Sequence, residues 1–433
     1  MRYRIRCLET SQILVDDGFI LVNPAAAGPA LLRAEYQASQ LNIRPEQPGL
    51  FRFADWLPVS RVLPSAGYPV TFRSERLASV LGLENLYITF SGYWPARGAF
   101  MTTGSFKECE AYTVCARYPQ DSQEVLVVAS AGNTARAFLK VASENRVPLV
   151  VVVPQSSLNE LWQEKPLQPW VRIVAAAGDS DYFDAIQISD KVSVLQGFKA
   201  EGGARNIARR DGMGTTLLSA ATTIGQIPDC YFQAIGSGTG AIAAHEANLR
   251  LLGDGRYGHK LMQLHLSQNS PFLPIFQAWQ TRRREIAPMD TTEARRLSQA
   301  IDAKVLANRK PPYGLTGGLF DALSAAGGHV YAVDNTALAQ ARDLFAASEG
   351  CDVCPEAGVA LASLIEACEK KLINRQAVIM LNVTGGGRLN IKKDLNPQPV
   401  IADLLIDPDD IDQAQLAGML AQTRQEILAS LTS

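Results

Sequence analysis

The chain has 433 residues, of which 47% are hydrophobic and 19% are charged, and its formal net charge is −2. This length predicts two domains, and a near-neutral chain without blocks of like charge is not expected to bind nucleic acid. The apolar stretch nearest the N-terminus is interrupted by Pro, Gly and Asn, which argues against a signal peptide or a membrane span. We therefore expect a cytoplasmic location and no membrane partner.

The residues before about position 60 are rich in Pro, Gly and Gln and predict an N-terminal extension, residues 1–60, that packs on the body of the protein. Beyond them, short runs rich in Val and Ile alternate with segments of helical periodicity. In chain order the prediction is a strand at 124–130, a helix at 134–145, strands at 148–154 and 171–178, a helix at 181–196, a strand at 229–238, a helix at 240–252 and a strand at 376–387. Continuous apolar runs are typical of strands buried on both faces, so the predicted fold class is α/β, with mostly parallel sheets and helices on both faces.

Three of the predicted strands end in loops rich in small residues, namely SAGNT at 130–134, GSGTG at 236–240 and NVTGGG at 382–387. In parallel sheets, ligands bind where the carboxyl ends of strands lead into helices, so we expect these loops to form one site. In the second loop, glycines let backbone N–H groups point inward and the next helix adds its positive end, which favours a bound phosphate. The alternative is a tight turn without a ligand. The candidate phosphate-binding residues are Gly236, Ser237, Gly238, Thr239 and Gly240.

A lysine at the start of a predicted helix is the candidate for covalent chemistry. Residues 102–118 read TTGSFKECEAYTVCARY, which places Lys107 directly after a glycine, a serine and a phenylalanine. A lysine amine can attack a carbonyl carbon, so Lys107 becomes a candidate nucleophile if the phosphate loop lies nearby. The alternative is a solvated surface lysine, the usual place for this residue type.

The SAGNT loop lies at a strand-to-helix junction, where small side chains let a substrate carboxylate approach backbone N–H groups and hydroxyls. The candidate substrate-binding residues in this loop are Ser130, Ala131, Gly132 and Thr134. The amide of Asn133 can donate a hydrogen bond to a phenolate oxygen. The alternative for Asn133 and Thr134 is a helix N-cap, and the two roles are compatible.

GSFK, SAGNT, GSGTG and NVTGGG occur in an order and spacing that resembles the fold-type II pyridoxal-phosphate enzymes, the group of the tryptophan synthase β chain, cysteine synthase and threonine synthase. The resemblance implies a two-domain fold with pyridoxal 5′-phosphate as cofactor. It implies that Lys107 forms the Schiff base and that Asn133 contacts the ring hydroxyl. It also implies that Gly236 to Gly240 hold the cofactor phosphate and that Thr384 presents its hydroxyl to the pyridine nitrogen.

The same resemblance implies a division of the chain into domains. Residues 61–115 and 225–433 would form a large cofactor-binding domain, and residues 116–224 would form a small substrate-binding domain.

Longer stretches resemble the cysteate synthases, relatives of threonine synthase that join O-phosphoserine and sulfite. They are RFADWLPV at 52–59, NLYITFSGYWPARGA at 85–99, EGGARNIARRDGMGT at 201–215, DCYFQAIGSGTG at 229–240 and PPYGLTGGLFDAL at 311–323. This resemblance implies a β-replacement that yields L-cysteate and phosphate, a reaction that would suit coenzyme M biosynthesis. Met213 and Gly214 stand where threonine synthases usually have Gln and Lys, which puts phosphohomoserine chemistry in doubt.

Both the leaving phosphate and the incoming sulfite are anions, so cations are expected in the cleft. The candidates are Arg205 and Arg209, together with Arg210 and Arg136, and a solvated helical face is the alternative for the first three. Three alternative functions stay open: a threonine synthase that acts on O-phosphohomoserine, another pyridoxal-phosphate β-replacement enzyme, and a non-catalytic protein that binds the cofactor.

The remaining expectations concern metals and assembly. Seven cysteines without a secretory signal are typical of reduced thiols, and Cys351 and Cys354 lack a second ligand pair, so no metal is expected. The partners should be small molecules, and we expect a homo-oligomer because dimers are the common case.

Overall fold

The computed structural model describes residues 2–16, 19–408 and 411–432. Its strands are β1 (Tyr3–Cys7), β2 (Ile13–Leu14), β3 (Leu32–Tyr36), β4 (Val70–Arg73), β5 (Asn85–Phe90), β6 (Tyr93–Trp94), β7 (Ala99–Phe100), β8 (Val125–Ala129), β9 (Leu149–Pro154), β10 (Trp162–Gln163), β11 (Val171–Ala176), β12 (Phe198–Ala200), β13 (Cys230–Ala234), β14 (Gln263–Asn269), β15 (His329–Val333), β16 (Val378–Val383), β17 (Gln398–Pro399) and β18 (Leu404–Ile406).

The α-helices are α1 (Arg76–Leu81), α2 (Lys107–Arg117), α3 (Asn133–Glu144), α4 (Tyr182–Ser193), α5 (Ile207–Ile224), α6 (Thr239–Asp254), α7 (Pro274–Gln280), α8 (Thr291–Ala300), α9 (Leu319–Ala326), α10 (Asn335–Glu349), α11 (Pro355–Glu369), α12 (Arg388–Asp394) and α13 (Gln413–Thr432). Short 3-10 helices lie at Gly49–Trp56, Pro95–Arg97, Gln155–Glu160, Gly203–Arg205 and Lys304–Leu306. All the predicted strands and helices are present within a few residues of their predicted ends, so the α/β prediction is confirmed.

The larger sheet has six strands in the order β15-β14-β13-β16-β5-β4, and only its edge strand β4 runs antiparallel to its neighbour. Alternate side chains of a strand point to opposite faces, and both faces of this sheet are covered. In β13, Phe232 packs in the apolar cluster that includes α10 and α11, whereas Tyr231 packs in the cluster that includes α5, α6 and α9. Helices on both faces explain why these strands read as continuous apolar runs.

The smaller sheet has five parallel strands in the order β12-β8-β9-β11-β18. Its centre is the valine-rich strand β9, whose residues from Leu149 to Val153 have no exposed surface. Helices α2, α3 and α4 and the last helix, α13, contribute to the same apolar cluster. The crossover from β8 to β9 runs through α3, whereas β9 and β11 are joined by a 3-10 helix and the short strand β10.

Three segments lie in a different place from the predicted division of the chain. The C-terminal part of 225–433 returns to the smaller sheet, because β18 pairs with β11 and α13 packs in the apolar cluster of that sheet. Helix α2, of which residues 107–115 were assigned to the large domain, also packs in this cluster. Conversely, the second half of α5, assigned to the small domain, packs in the cluster of the larger sheet. The sequence could not predict the partner of β18, because a strand of three residues shows too little periodicity. In the structure, β18 pairs with β11 and so covers an edge that would otherwise be open.

The described residues of the predicted extension, 2–16 and 19–60, contain the antiparallel sheet β2-β1-β3 and a 3-10 segment. Two ion pairs attach this region to the helices of the body. The buried carboxylate of Asp16 accepts from Arg117 of α2 at 2.8 Å, and Arg33 of β3 contacts Glu246 of α6 at 3.2 Å. The segment therefore lies against α2 and α6.

Across residues 2–16, 19–408 and 411–432, no helix is long and apolar enough to cross a membrane. The same part of the chain contains no cluster of three or more His, Cys, Asp or Glu side chains that could hold a metal ion. All seven cysteines are described and are free thiols, and only Cys368 is not fully buried.

Candidate active site

The loops that follow β8, β13 and β16 open on one cavity of about 810 Å³ between the two sheets. Of the site residues predicted from the sequence, all except Arg136 and Arg210 line this cavity. Its lining includes Lys107, Ser130, Ala131, Gly132, Asn133, Thr134, Arg205, Arg209, Gly236, Ser237, Gly238, Thr239, Gly240 and Thr384. These positions come from segments far apart in the chain, and the carboxyl ends of the strands bring them together.

Lys107 is the first residue of α2, and its position depends on the loop after β16. The Phe106 N–H donates to the carbonyl oxygen of Thr384 at 2.9 Å, and the Gly386 N–H donates to the carbonyl oxygen of Gly104 at 3.1 Å. These bonds join GSFK to NVTGGG. The Lys107 side chain is 20% exposed, and its amine lies 3.1 Å from the Glu110 carboxylate and 3.8 Å from the Met213 sulfur.

The glycine turn joins β13 to α6 and is closely packed. Gly238 has a φ of 75°, and a Cβ there would lie 2.5 Å from Leu319; a Cβ on Gly236 would lie 2.9 Å from the Leu306 backbone. The hydroxyls of Ser237 and Thr239 are 2.8 Å apart. In the described part of the chain, the backbone N–H groups of Ser237 and Gly238 meet no protein acceptor. The turn thus presents free donors to the cavity at the positive end of α6.

The side chain of Asn133 is held from two sides at the start of α3. Its Oδ1 accepts from Arg136 at 2.5 Å, and its Nδ2 donates to the buried carboxylate of Glu356 at 2.8 Å. The helix is instead capped by Ser130, whose hydroxyl oxygen accepts from the Ala135 N–H at 3.0 Å. Neither Asn133 nor Thr134 therefore caps the start of α3 with its side chain.

The predicted arginines have three different environments. Arg205 is exposed at the cavity wall, and no carboxylate of the described residues lies within ion-pair distance of it. Arg209 is buried and contacts Glu201 at 3.0 Å and Glu110 at 3.3 Å. Burial disfavours the charge of Arg209, but these two carboxylates together raise its pKa above the usual value. Arg210 points away and pairs with Glu246 at 2.8 Å.

Arg136 does not line the cavity, although it lies directly behind it. The side chain is 1% exposed, and its guanidinium donates to the carbonyl oxygens of Thr103 and Glu160, each at 2.9 Å, as well as to Asn133. Burial lowers the pKa of Arg136 to about 10.

Sequence reasoning missed the buried acids around the cavity, namely Glu110, Glu201 and Glu356. It also missed the contacts across the cavity mouth, where Asp181 pairs with Arg309 and Asp184 accepts from Arg295 at 2.9 Å. Asp181 and Asp184 form a capping box at the start of α4, a pattern that local spacing could have revealed. The arginine partners come from the other side of the cavity and have no local signal.

Comparison with known proteins matches residues 75–385 to the family described as pyridoxal-phosphate dependent enzyme. A cysteate synthase of Methanocorpusculum labreanum is 49% identical over 394 residues, covering 90% of this chain and 94% of the relative. A cysteate synthase of Methanosarcina barkeri is 47% identical over 366 residues, covering 84% of this chain and 88% of the relative. The chain belongs to the cysteate synthase family of pyridoxal-phosphate-dependent enzymes.

Solved structures agree on the fold. Maize serine racemase matches with a TM-score of 0.55 at 16% identity, covering 76% of this chain and 92% of that protein. A fungal L-serine ammonia-lyase from Rhizomucor miehei matches with a TM-score of 0.56 at 16% identity, covering 76% of this chain and 98% of that protein. The predicted fold of the pyridoxal-phosphate enzymes is thereby confirmed for this member of the cysteate synthase family.

The cavity fits the cofactor that membership of the cysteate synthase family implies. Pyridoxal phosphate needs an amine, a phosphate cradle and a partner for its ring nitrogen. Lys107, the free N–H groups of the glycine turn and Thr384 all line the same cavity. The Thr384 hydroxyl forms no hydrogen bond within the described residues and is free to act as that partner.

Proposed function

We propose that the enzyme converts O-phospho-L-serine and sulfite into L-cysteate and phosphate. The observation that carries the proposal is that Lys107, the glycine turn and the SAGNT loop open on one cavity, whose wall also bears cations that have no carboxylate partner among the described residues. The names of the relatives support the product, and the chemistry of a β-replacement requires the two anions.

Each part of the cavity is proposed to have one task. When bound, pyridoxal phosphate supplies the electron sink that lets negative charge develop at the substrate Cα. The SAGNT loop at the positive end of α3 holds the substrate carboxylate. Lys107 Nζ takes the proton from Cα and later returns it, and Thr384 keeps the ring nitrogen neutral because a hydroxyl cannot enforce a positive charge there. A neutral ring favours elimination over transamination.

We propose that anions are received at the cavity mouth rather than at Arg209. Arg209 is already matched by two buried carboxylates, whereas Arg205, Lys304 and Lys310 line the cavity without a carboxylate within ion-pair distance among the described residues. Arginine and lysine groups in such positions bind phosphate and sulfite oxygens. Leaving phosphate and incoming sulfite bond in turn to the same β-carbon, so one group of cations serves both.

Product analysis tests the proposed reaction. Purified enzyme loaded with pyridoxal phosphate is given phosphoserine with sulfite or sulfide, and phosphohomoserine alone. We expect cysteate to form only from phosphoserine with sulfite, and no threonine from phosphohomoserine, because neither Met213 nor Gly214 supplies a cation beside Lys107.

The same experiment includes two variants. The Lys107→Ala enzyme should lose activity by on the order of a thousandfold or more and should carry no cofactor adduct at position 107 after borohydride reduction. Its matched control is Lys199→Ala, a lysine of the smaller sheet away from the cavity lining, which should keep both the adduct and the activity. Threonine as the only product would contradict the proposed substrates.

A homo-oligomer, a cytoplasmic location and a place in coenzyme M biosynthesis remain predictions from the sequence. Sedimentation of the purified enzyme at several concentrations measures the first of these.

A further inference from the structure

One buried carboxylate joins three side chains of the cavity lining without lining the cavity itself. Glu110 lies one turn after Lys107 on α2 and is completely buried. Its Oε2 accepts from Lys107 Nζ at 3.1 Å. Its Oε1 accepts from the Thr134 hydroxyl at 2.7 Å and lies 3.3 Å from the Arg209 guanidinium.

Burying a carboxylate in this position costs desolvation free energy. The group stays charged only if hydrogen-bonding and oppositely charged partners surround it. Glu110 and Glu201 face Arg209 and Lys107, so two negative and two positive groups are balanced. Apolar side chains of the same volume would stabilise the fold about as well. The arrangement therefore points to a task in the reaction.

The proposed β-replacement requires a proton to be stored. The Cα–H bond breaks, its proton moves to the lone pair of Lys107 Nζ, and its electron pair remains on Cα, where a bound cofactor would stabilise the charge. The β-carbon–oxygen bond then breaks and phosphate leaves with that bonding pair. The sulfur lone pair of sulfite forms the new bond at Cβ, and Cα takes a proton back from Nζ. Between the first and last events, Lys107 is an ammonium.

Resting on that proposed function, we propose that Glu110 is the positioning residue that holds the protonated Lys107 and shields the stored proton from exchange with water. Glu110 has no exposed surface, and Lys107 has little. Among the described residues, the amine also contacts the Phe106 ring at 4.9 Å and the Met213 sulfur at 3.8 Å, and neither competes as an acceptor with a carboxylate. Glu110 is thus the charged acceptor for the ammonium.

The first test follows deuterium through the reaction. The holoenzyme reacts in ordinary water with sulfite and with phosphoserine that is deuterated at Cα. The deuterium content of the cysteate is then measured by mass spectrometry at low conversion. The lysine ammonium carries three hydrogens, so retention of deuterium approaches at most about one third when no exchange occurs. We expect a measurable retained fraction in the unmodified enzyme and a fall to near zero in Glu110→Gln.

The matched control is Glu201→Gln, which removes a buried carboxylate from the same Arg209; among the described residues, Glu201 forms no hydrogen bond or ion pair with Lys107. It should retain the deuterium fraction of the unmodified enzyme. Equal loss in both variants would identify a merely structural role, and absence of retained deuterium in the unmodified enzyme would overturn the inference. If Glu110→Gln does not fold, Glu110→Asp replaces it. The shorter side chain places the carboxylate farther from Lys107 Nζ, so the fraction of deuterium retained in the cysteate should also fall.

The second test needs neither substrate nor turnover. The protein is labelled with nitrogen-15 in its lysine side chains and studied before cofactor is added. NMR then measures how fast the Lys107 ammonium hydrogens exchange with water. Loss of a charge-assisted hydrogen bond should speed this exchange by about tenfold in Glu110→Gln, and Glu201→Gln should match the unmodified chain. Equal exchange in all three proteins would contradict the inference. Failure to form cysteate from phosphoserine and sulfite would refute the proposed function and leave this measurement standing.

Discussion

At the scale of single residues, the cavity depends on a buried polar network that fixes the amide side chain of Asn133. The Arg136 guanidinium donates hydrogen bonds to Asn133 Oδ1 and to two backbone carbonyl oxygens. The Glu356 carboxylate accepts a hydrogen bond from Nδ2 of the same amide. A buried network of this kind is rigid only while every member is satisfied. The orientation of Asn133 in the cavity thus follows from Arg136 and Glu356.

Replacing Arg136 by Met keeps the volume but leaves the Asn133 oxygen and two carbonyl oxygens without donors. We expect the free energy of unfolding to fall by about 3 kcal/mol and cofactor affinity to fall by at least about tenfold, because an unpaired buried acceptor costs about 1–3 kcal/mol. Chemical unfolding and a spectroscopic cofactor titration measure the two effects. Arg146→Met, which changes a side chain that contacts an exposed carbonyl and the Trp170 ring, is the control and should leave cofactor affinity unchanged.

The loops of the site could be predicted at this scale, whereas the buried acids could not. Glycine turns and strand ends are local signals, so SAGNT and GSGTG were recognisable in the sequence. Asn133 and Glu356 are 223 residues apart, and the partner of a buried carboxylate depends on tertiary packing alone. Arg209 shows the same limit, since its type suggested an anion-binding group, but it pairs with Glu201 and with Glu110, which lies on another helix.

At the scale of elements, helix α6 has a left-handed glycine at each end, and the two glycines differ in their surroundings. Gly238 precedes the helix with a φ of 75°, and Gly255 follows it with a φ of 77°. A Cβ on Gly238 would lie 2.5 Å from Leu319, whereas a Cβ on Gly255 would meet nothing within 4 Å. The pair therefore separates backbone strain from crowding in the proposed phosphate turn.

Gly255→Ala should cost about 1–2 kcal/mol of stability from the left-handed backbone alone and leave cofactor affinity unchanged. Gly238→Ala should cost more and weaken binding of pyridoxal phosphate by at least about tenfold, because Leu319 or the turn must shift. Thermal unfolding and cofactor titration of both variants measure the difference. Equal cofactor affinity in the two variants would contradict a phosphate-binding role for the turn.

At the scale of the whole molecule, stability should depend on pH through a buried histidine far from the cavity lining. His265 of β14 stacks on Phe232 at 4.5 Å and on His329 at 5.0 Å, and its Nδ1 is 2.7 Å from the Tyr331 hydroxyl. Burial, and then the neighbouring His329, lowers the pKa of His265 from 6.5 to about 3. The folded protein therefore keeps this ring neutral at pH values where the unfolded chain protonates it.

This stabilisation is fully present above pH 6.5 and is lost as the pH falls from 6.5 towards 3. His265→Phe preserves the stack and removes the titration. Between pH 7 and pH 5 the unmodified protein should lose about 2 kcal/mol more stability than the variant, since one pKa unit corresponds to about 1.4 kcal/mol. Unfolding measured at both pH values in both proteins gives the comparison, and parallel pH dependence would exclude His265 as the cause.

The two-sheet architecture was predictable from the alternation of apolar runs and helices, but the course of the last segment was not. Ile173 of β11 and Asp403, beside β18, are 230 residues apart, and the Ile173 N–H donates to the Asp403 carboxylate at 2.7 Å. During synthesis on the ribosome, β11 therefore emerges long before the strand that covers it. The outer edge of β11 in the smaller sheet stays unpaired until the strands of the larger sheet have been translated. During co-translational folding, the smaller sheet can be completed only after the larger sheet has been synthesised.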